Sequence, residues 1–167
     1  ASGQYVPFEA QQFHFHAPSE HTINGKHYDL ELHIVHTVSS SYRQKDSLKR
    51  NYAVLGILFE VDETAPAHPF IEALHLDKIG ENIQLNMANL LDIDENPEFY
   101  GYEGSLTTPP CNQVVNWFIL KEVQKITPEQ LKHFSERWAE NENFAKGNGN
   151  NREVQPLNGR KIVHGNC

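Results

Sequence analysis

The sequence predicts a mainly β fold (α+β), in which short peripheral helices surround a large, mostly antiparallel twisted central sheet. Segments with strand-like patterns outnumber those with helical patterns, and the Asn-Gly pair at 24–25 is a strong signal for a β-hairpin. The length of 167 residues suits one domain, and no internal repeat divides it. We therefore expect a single domain over residues 1–167.

Five segments are predicted to be strands. Residues 11–16 and 28–38 alternate between apolar and polar side chains, which is typical of strands with one buried face. Residues 52–61 and 113–121 are nearly continuous apolar runs, and such runs indicate buried strands. Residues 160–163 are a candidate for one further short strand.

Two helices are predicted. The first covers residues 68–79, with three apolar side chains facing inward: Phe70, Ile71 and Leu74. The second begins at Thr127, which offers an N-cap, followed by Pro128 at the first helical position and Gln130 at the capping-box position. Residues 145–151 are rich in Gly and Asn and are predicted to form a polar loop.

The composition excludes two classes of partner. The formal net charge is −8, and Lys and Arg do not cluster, so we expect no nucleic-acid partner. No apolar run approaches the roughly 20 residues of a membrane-spanning helix, so we expect no membrane span.

Cys111 and Cys167 are too few for a disulfide scaffold or a cysteine zinc site. The residues alone leave open whether these cysteines pair with each other or outside the chain.

Three histidines are predicted to form one patch. His14 and His16 lie two residues apart on a predicted strand, so their rings point to the same face. If residues 24–25 form a two-residue turn, His16 lies directly opposite His33, and opposed residues share a face. Pro18 cannot donate to a sheet, and we expect it to mark a bulge or an edge.

Such a patch has the donor set of an open, catalytic zinc site, in which three protein ligands leave a fourth position for water or substrate. Imidazole ligands usually donate their second N–H to an amide oxygen, a carboxylate or a carbonyl. Gln12 and Glu31 lie on the face of the histidines, each two residues before one of them. We therefore expect Gln12 to orient His14 and Glu31 to orient His33.

Two longer motifs surround these residues. The first comprises Gln12-Phe13-His14-Phe15-His16, then Ser19-Glu20-His21, then Glu31-Leu32-His33. The second is Gly104-Ser105-Leu106-Thr107-Thr108-Pro109-Pro110-Cys111, which Trp117 follows. In this order they resemble the signature, the threonine loop and the pocket tryptophan of the α-class carbonic anhydrases. The resemblance runs through almost the whole chain.

The resemblance implies a zinc lyase (carbonate dehydratase) that reversibly hydrates carbon dioxide to bicarbonate and a proton by means of zinc-bound hydroxide. It assigns the zinc ligands to His14, His16 and His33, and it implies inhibition by sulfonamides and simple anions. Thr107 would accept a hydrogen bond from the hydroxide and donate one to Glu20, so both residues are expected to be catalytic.

The resemblance also implies a substrate pocket. Thr108 is expected to line its polar side, and its apolar wall is expected to consist of Val35, Val54, Leu106, Val115 and Trp117. Considered as single residues, these apolar side chains are equally consistent with an ordinary hydrophobic core.

The chain resembles the family domain without its N-terminal portion, which normally carries the proton-shuttle histidine. We therefore expect a companion chain or an N-terminal fragment to complete the fold, and we assign no shuttle here. Extracytoplasmic members of the family often form a disulfide from the cysteine that follows Thr-Thr-Pro-Pro, a position that Cys111 occupies. This resemblance predicts a disulfide and a secreted, periplasmic or organelle-lumen location.

Two alternative functions are also considered. A relative with impaired catalysis would act as a binding or structural protein, although the three histidines and Thr107 argue against this interpretation. A hydrolase could use zinc-activated water on esters, although no extra general acid is evident in the sequence. Assays of carbon dioxide hydration and of ester hydrolysis would distinguish these alternatives.

Overall fold

The computed structural model describes residues 6–42, 51–78, 80, 82–87, 91, 93–138 and 149–166. Its strands are β1 (Phe8–His16), β2 (Thr22–Ile23), β3 (Lys26–His27), β4 (Leu30–Val38), β5 (Tyr52–Val61), β6 (Glu98–Gly104), β7 (Val115–Leu120), β8 (Gln124–Ile126) and β9 (Val163–Asn166). The helices with described bounds are α1 (Pro69–Ala73) and α2 (Pro128–Trp138). Strands predominate over helices in these residues, which confirms the predicted mainly β fold.

Most of the described strands belong to one large sheet. Its strand order is β1-β4-β5-β7-β6-β9, and β8 pairs with β5 beyond the end of β7. The pairs β1–β4, β4–β5, β6–β7 and β6–β9 are antiparallel, whereas β7 and β8 run parallel to β5. The sheet is therefore mixed but mostly antiparallel. Its parallel part arises because the chain crosses over through α1 and β6 between β5 and β7.

Alternation along the strands gives this sheet two different faces. One face packs against the helices through a core that includes Ile34, Ile57, Phe59, Phe70 and Phe134. The other face carries a row of residues in register across five strands: His14, His33, Gly56, Ile119 and Tyr100. The histidines therefore lie on the face opposite the helices.

The predicted Asn-Gly turn is present. Asn24 and Gly25 have positive φ angles of 53° and 78°, which is the backbone that a type I′ turn requires. They join β2 to β3, in which Ile23 pairs with Lys26. The turn thus closes a short two-stranded ribbon rather than the long hairpin expected from the sequence.

The long strands beyond this ribbon have a different register from the predicted one. β1 and β4 align His14 with His33, so the expected pairing of His16 with His33 is wrong by two residues. The irregular segment 17–21, which contains Pro18, connects β1 to the ribbon, and it is longer than the segment 28–29 that connects the ribbon to β4. This difference in length displaces β1 along β4. Because side chains alternate with a period of two, an even shift leaves each of them on its expected face.

The remaining strand predictions are correct to different degrees. Residues 52–61 form β5 as predicted, and the segment 113–121 contains β7. The predicted strand at 160–163 is instead β9, which begins at its last residue. β6 and β8 were not predicted. Glycines and glutamates interrupt the apolar pattern of β6, and β8 is only three residues long.

The helices differ in how well the sequence predicted them. α2 begins with the expected capping box: Gln130 N donates to Thr127 Oγ1 at 3.2 Å, and Thr127 N donates to Gln130 Oε1 at 3.3 Å. α1 is much shorter than predicted, since the chain leaves the helix after Ala73 and His75 has a positive φ of 46°.

Of the predicted loop, residues 145–148 lie outside the described residues. In the described part of the chain, no helix has the length and apolar character needed to cross a membrane.

Candidate metal centre

Three histidine rings meet on the face of the sheet opposite the helices. His14 and His16 come from β1 and His33 comes from β4, and one ring nitrogen of each lies within 4.8 Å of the others. The ring centroids are 4.6 to 5.2 Å apart. This convergence follows from strand alternation on β1 and from cross-strand pairing with β4. The three side chains are close enough to share one metal ion.

Two of these rings are oriented by the partners that the sequence analysis named. Gln12 Oε1 lies 2.8 Å from His14 Nδ1, and Glu31 Oε1 lies 2.8 Å from His33 Nε2. In each pair the ring N–H donates to the side-chain oxygen. The second nitrogen of each ring, Nε2 of His14 and Nδ1 of His33, therefore keeps a lone pair for a ligand.

His16 is oriented by a segment that lies far away in the sequence. Its Nδ1 donates to the backbone oxygen of Asn150 at 3.1 Å, and the side chain of Asn150 accepts from Ala17 N at 2.9 Å. Gly149 allows this close approach, because its φ is +114° and a Cβ there would lie 2.1 Å from Ala17 O. Asn150 was not predicted from the sequence, since no local pattern relates residues more than 130 positions apart.

The donor set fits a metal ion. His16 Nε2 is buried, and no described residue supplies it with a hydrogen-bond partner, which is costly for a polar atom unless a ligand satisfies it. Burial and the neighbouring His33 lower the pKa of His14 and the pKa of His16 to about 4. Both imidazoles are therefore neutral near pH 7, as metal ligation requires.

These lowered pKa values predict that the metal-free protein loses stability in mild acid. A histidine in the unfolded chain binds its proton near pH 6.5, whereas folded His14 and His16 bind theirs only near pH 4. The unfolded state therefore binds more protons in this range, so the free energy of unfolding falls as the pH drops from about 6.5 to about 4. Urea unfolding of metal-free protein should show this slope, and a His16→Gln variant should show a shallower one. Equal slopes in the two proteins would contradict the assignment.

Glu31 is a fully buried carboxylate that connects several parts of the site. Its Oε1 accepts from His33 Nε2 at 2.8 Å and from His21 Nδ1 at 2.6 Å. Its Oε2 accepts from the backbone N–H groups of Glu20 and His21 at 2.8 and 2.9 Å. Burial alone would raise the pKa of Glu31, but His21 and His33, through charge and hydrogen bonds, hold it well below its usual value. Glu31 is thus an ionised acceptor of four hydrogen bonds.

His21 and Tyr102 extend this network, and neither of them was assigned to the site from the sequence. Because the Nδ1–H of His21 donates to Glu31, its Nε2 accepts from the Tyr102 hydroxyl at 2.6 Å. Burial and the charge of Glu31 raise the pKa of Tyr102 above its usual value. His21, Glu31 and His33 also lie close enough to hold an ion, but hydrogen bonds already join their facing atoms. This group therefore supports His33 rather than forming a separate metal site.

Glu20 and Thr107 line one open cleft of about 890 Å³. Glu20 Oε1 accepts from the backbone N–H of Arg152 at 2.8 Å. Glu20 Oε2 lies 4.0 Å from His33 Nδ1 and is buried, with no hydrogen-bond partner among the described residues. The hydrogen bond expected between Thr107 and Glu20 is therefore not formed in this structure, because the free carboxylate oxygen is turned toward His33.

The apolar residues predicted to form the pocket wall belong to one cluster on the histidine face. Four of them are buried and Leu106 packs against them at the edge; the buried ones are Val35, Val54, Val115 and Trp117. The Trp117 ring lies 4.7 Å from the His33 ring, and its Nε1 donates to Ser105 O at 3.1 Å. Trp117 therefore packs against a histidine of the site, with little of its own surface exposed.

The resemblance also assigned roles to Thr108 and Cys111 of the threonine loop. Thr108 is exposed, and its backbone oxygen accepts from the N–H of Cys111 at 3.0 Å. The thiol of Cys111 is free, so the expected disulfide is absent from the described part of the chain. Cys167 lies outside the described residues.

Fold and site together define a class of protein. In this class a mixed β-sheet carries an open three-histidine metal site that buried carboxylates support. Within this class, a sequence model described as eukaryotic-type carbonic anhydrase matches residues 1–166. The chain therefore belongs to the α-type carbonic anhydrase family. This family is itself the standard example of a catalytic site with three histidine ligands and an open fourth position.

Individual relatives agree with this assignment. A carbonic anhydrase of Klebsiella pneumoniae is 38% identical over 162 residues, which cover 95% of this chain and 58% of the relative. Alpha carbonic anhydrase 7 of Arabidopsis thaliana is 35% identical over 165 residues, which cover 94% and 53%. The solved structure of the α-carbonic anhydrase from Thermovibrio ammonificans with the inhibitor sulfanilamide has a TM-score of 0.72 and 38% identity, and the match covers 94% of this chain and 63% of that one. The chain thus spans little more than half the length of the curated relatives it matches.

Proposed function

We propose that this chain carries the zinc site of a carbonic anhydrase and takes part in the reversible hydration of carbon dioxide to bicarbonate and a proton. The observation that carries the proposal is the set of three converging imidazoles, each with one nitrogen bonded to a partner and one left for a ligand. Membership in the family supports the same conclusion.

Zinc would be held by His14, His16 and His33. When bound, zinc would activate water as a nucleophile at neutral pH. Carbonic anhydrase is itself a type example of this chemistry. The chain orients the ligands: Gln12, Glu31 and the backbone of Asn150 each fix one ring and its tautomer. Fixed rings lose little conformational entropy on binding, which favours tight metal binding.

Thr107 and Glu20 are proposed to orient the attacking water. Among the described residues Glu20 Oε2 has no hydrogen-bond partner, so it is available to accept a hydrogen bond from the hydroxyl of Thr107, which lines the same cleft. With its proton donated to Glu20, the Thr107 oxygen can only accept from the water, and this leaves a water lone pair directed at carbon dioxide. Such positioning lowers the barrier without adding a charged group to the site.

The apolar cluster is proposed to form the wall against which carbon dioxide rests. Leu106 is its edge member and keeps exposed surface, whereas the other residues are buried and give the wall its shape. An apolar surface beside a polar site suits a small, uncharged substrate. Sulfonamide and anion inhibitors are proposed to bind at the metal position. Sulfanilamide is the inhibitor named in the complex of the Thermovibrio ammonificans enzyme.

An extracytoplasmic location stays a prediction. It rests on the position of Cys111, whose thiol is free among the described residues. Thiol labelling of the protein purified from its native compartment would test it. A Cys111 that resists labelling until a reductant is added would support a disulfide to a partner and an oxidising compartment.

The proposed function is tested by measuring bound zinc and carbon dioxide hydration on the same purified sample. We expect about one zinc per chain and hydration that sulfanilamide inhibits. A Thr107→Ala variant should keep its zinc and lose about 10²-fold or more in hydration, the size typical of a lost positioning or transition-state hydrogen bond. Thr64→Ala, at an exposed turn outside the cleft, serves as the matched control.

Three other outcomes would contradict parts of the proposal. Zinc without hydration would favour a binding or structural protein that has kept the metal site. Ester hydrolysis in the absence of carbon dioxide hydration would indicate a zinc hydrolase. An unchanged rate in Thr107→Ala would remove Thr107 from the mechanism.

A further inference from the structure

Gly56 lies at the centre of the sheet, directly beside the candidate metal centre. It belongs to β5 and pairs with His33 on β4 and with Ile119 on β7. Its φ is not among the positive values that favour glycine. A glycine in the middle of a strand weakens the strand, because it costs backbone entropy and contributes no packing. Backbone conformation therefore does not explain why residue 56 is a glycine. The remaining explanation is that there is no room for a side chain at this position.

A side chain at position 56 would meet both Ile119 and the carboxylate of Glu31. A Cβ at position 56 would lie 2.6 Å from Ile119 Cδ1 and 3.1 Å from Glu31 Oε1. The first contact involves the end of a flexible side chain, which can rotate away. The second is tighter than most real Cβ contacts, so Glu31 would have to move by a few tenths of an ångström.

Glu31 has little freedom to make that movement. It is fully buried, and four donors hold its two oxygens, at distances between 2.6 and 2.9 Å. A displacement of Oε1 acts on His33 and His21 together, since both rings donate to this one atom. The position of the His33 ring therefore depends on the absence of a side chain at position 56.

We propose that Gly56 is a positioning residue for the metal centre: the absence of a side chain there sets the place of the Glu31 carboxylate and, through it, the orientation of His33. The proposal rests on the proposed zinc site. Hydrogen-bond partners of metal ligands typically change metal affinity about 10- to 100-fold when they are lost, a range that includes carbonic anhydrases. A displaced but retained Glu31 should act at the lower end, so Gly56→Ala should weaken zinc binding about tenfold.

The experiment separates positioning from simple crowding. Gly56→Ala introduces both close contacts, whereas the double variant Gly56→Ala/Ile119→Val removes the Cδ1 atom and leaves Glu31 Oε1 as the one tight contact among the nearest atoms. Ile119→Val alone is the reference for the double variant. Gly101→Ala is the matched control, because a Cβ there would meet Val163 Cγ2 at 2.9 Å on the opposite face of the sheet.

The measurements are zinc affinity by chelator competition, thermal unfolding of the metal-free protein, and the ¹H–¹⁵N NMR signal of the His33 Nε2–H group without metal. We expect the double variant to unfold near the temperature of Ile119→Val, to bind zinc about tenfold more weakly, and to show a shifted His33 signal. Gly101→Ala should change neither the affinity nor the signal.

Equal zinc affinity and an unshifted His33 signal in the double variant and in Ile119→Val would overturn the role of Gly56. If the unmodified protein fails to bind zinc, the proposed function fails instead. In that case the NMR signal of the metal-free proteins still decides whether Gly56 sets the position of Glu31 and His33.

Discussion

Replacing His33 with alanine is expected to release most of the zinc and to abolish hydration. Zinc sites with four ligands bind with roughly 10–16 kcal/mol, so one ligand contributes about 3 kcal/mol, or about a hundredfold in Kd. The loss should be larger here, because His33 is also the ligand that Glu31 orients and that packs against Trp117. Zinc content after dialysis and chelator competition would measure the effect.

Two further variants make the His33 result interpretable. His36→Ala removes a histidine from the same strand but from the other face, where its ring bonds to the backbone oxygen of Ile34, and it should keep its zinc. His33 is almost fully buried, so its removal also affects folding. His14→Ala changes a half-buried ligand and should lose zinc with less destabilisation. Zinc that stays near one per chain in both ligand variants would show that these histidines do not bind it.

Replacing Glu31 with glutamine is expected to reduce both stability and zinc affinity. The amide keeps one acceptor oxygen and places an NH₂ group against N–H donors, so about two buried donors lose their acceptor. Each unsatisfied buried donor costs roughly 1–3 kcal/mol, which amounts to roughly 2–6 kcal/mol of unfolding free energy. For a chain of this length, that corresponds to a fall in Tm of about 5–15 °C.

The same variant should weaken zinc binding about 10- to 100-fold, since His33 loses a charged orienting partner. Glu60→Gln is the matched control on β5, because Glu60 is a partly exposed carboxylate whose ion pairs with Lys26 and Lys125 lie at the surface. Exposed pairs of this kind are screened by solvent and contribute little to stability. Similar losses in Glu31→Gln and Glu60→Gln would contradict the importance of the buried network.

The sequence predicted which side chains share a face of the sheet. It did not predict how far one strand is shifted along its neighbour. A period of two places His14, His16 and His33 on one face whatever the exact pairing, so the patch was expected even though the register was wrong by two residues. The offset depends on the irregular segment 17–21, whose conformation no local pattern encodes. For the same reason, Gln12 and Glu31 could be placed beside the rings from spacing alone.

The long-range partners of the site could not be predicted. Asn150, Arg152 and Tyr102 act on residues that lie between 81 and 134 positions away in the sequence. Two of these contacts use backbone atoms of a coil segment, for which residue type carries almost no information. β6 shows no clear alternation, so the strand that carries Tyr102 escaped detection as well.

The contribution of residues 149–152 to the site has a consequence for the order of folding. The histidines lie within the first 33 positions and can meet as soon as β1 and β4 pair. His16 and Glu20 acquire their backbone partners only when a segment more than 130 positions later docks against them. Closing so large a loop is entropically unfavourable and slow compared with forming a local hairpin. A growing chain on the ribosome would therefore present a loose, three-ring cluster first, and the site would become tightly oriented only after residues 149–152 have been made and have docked.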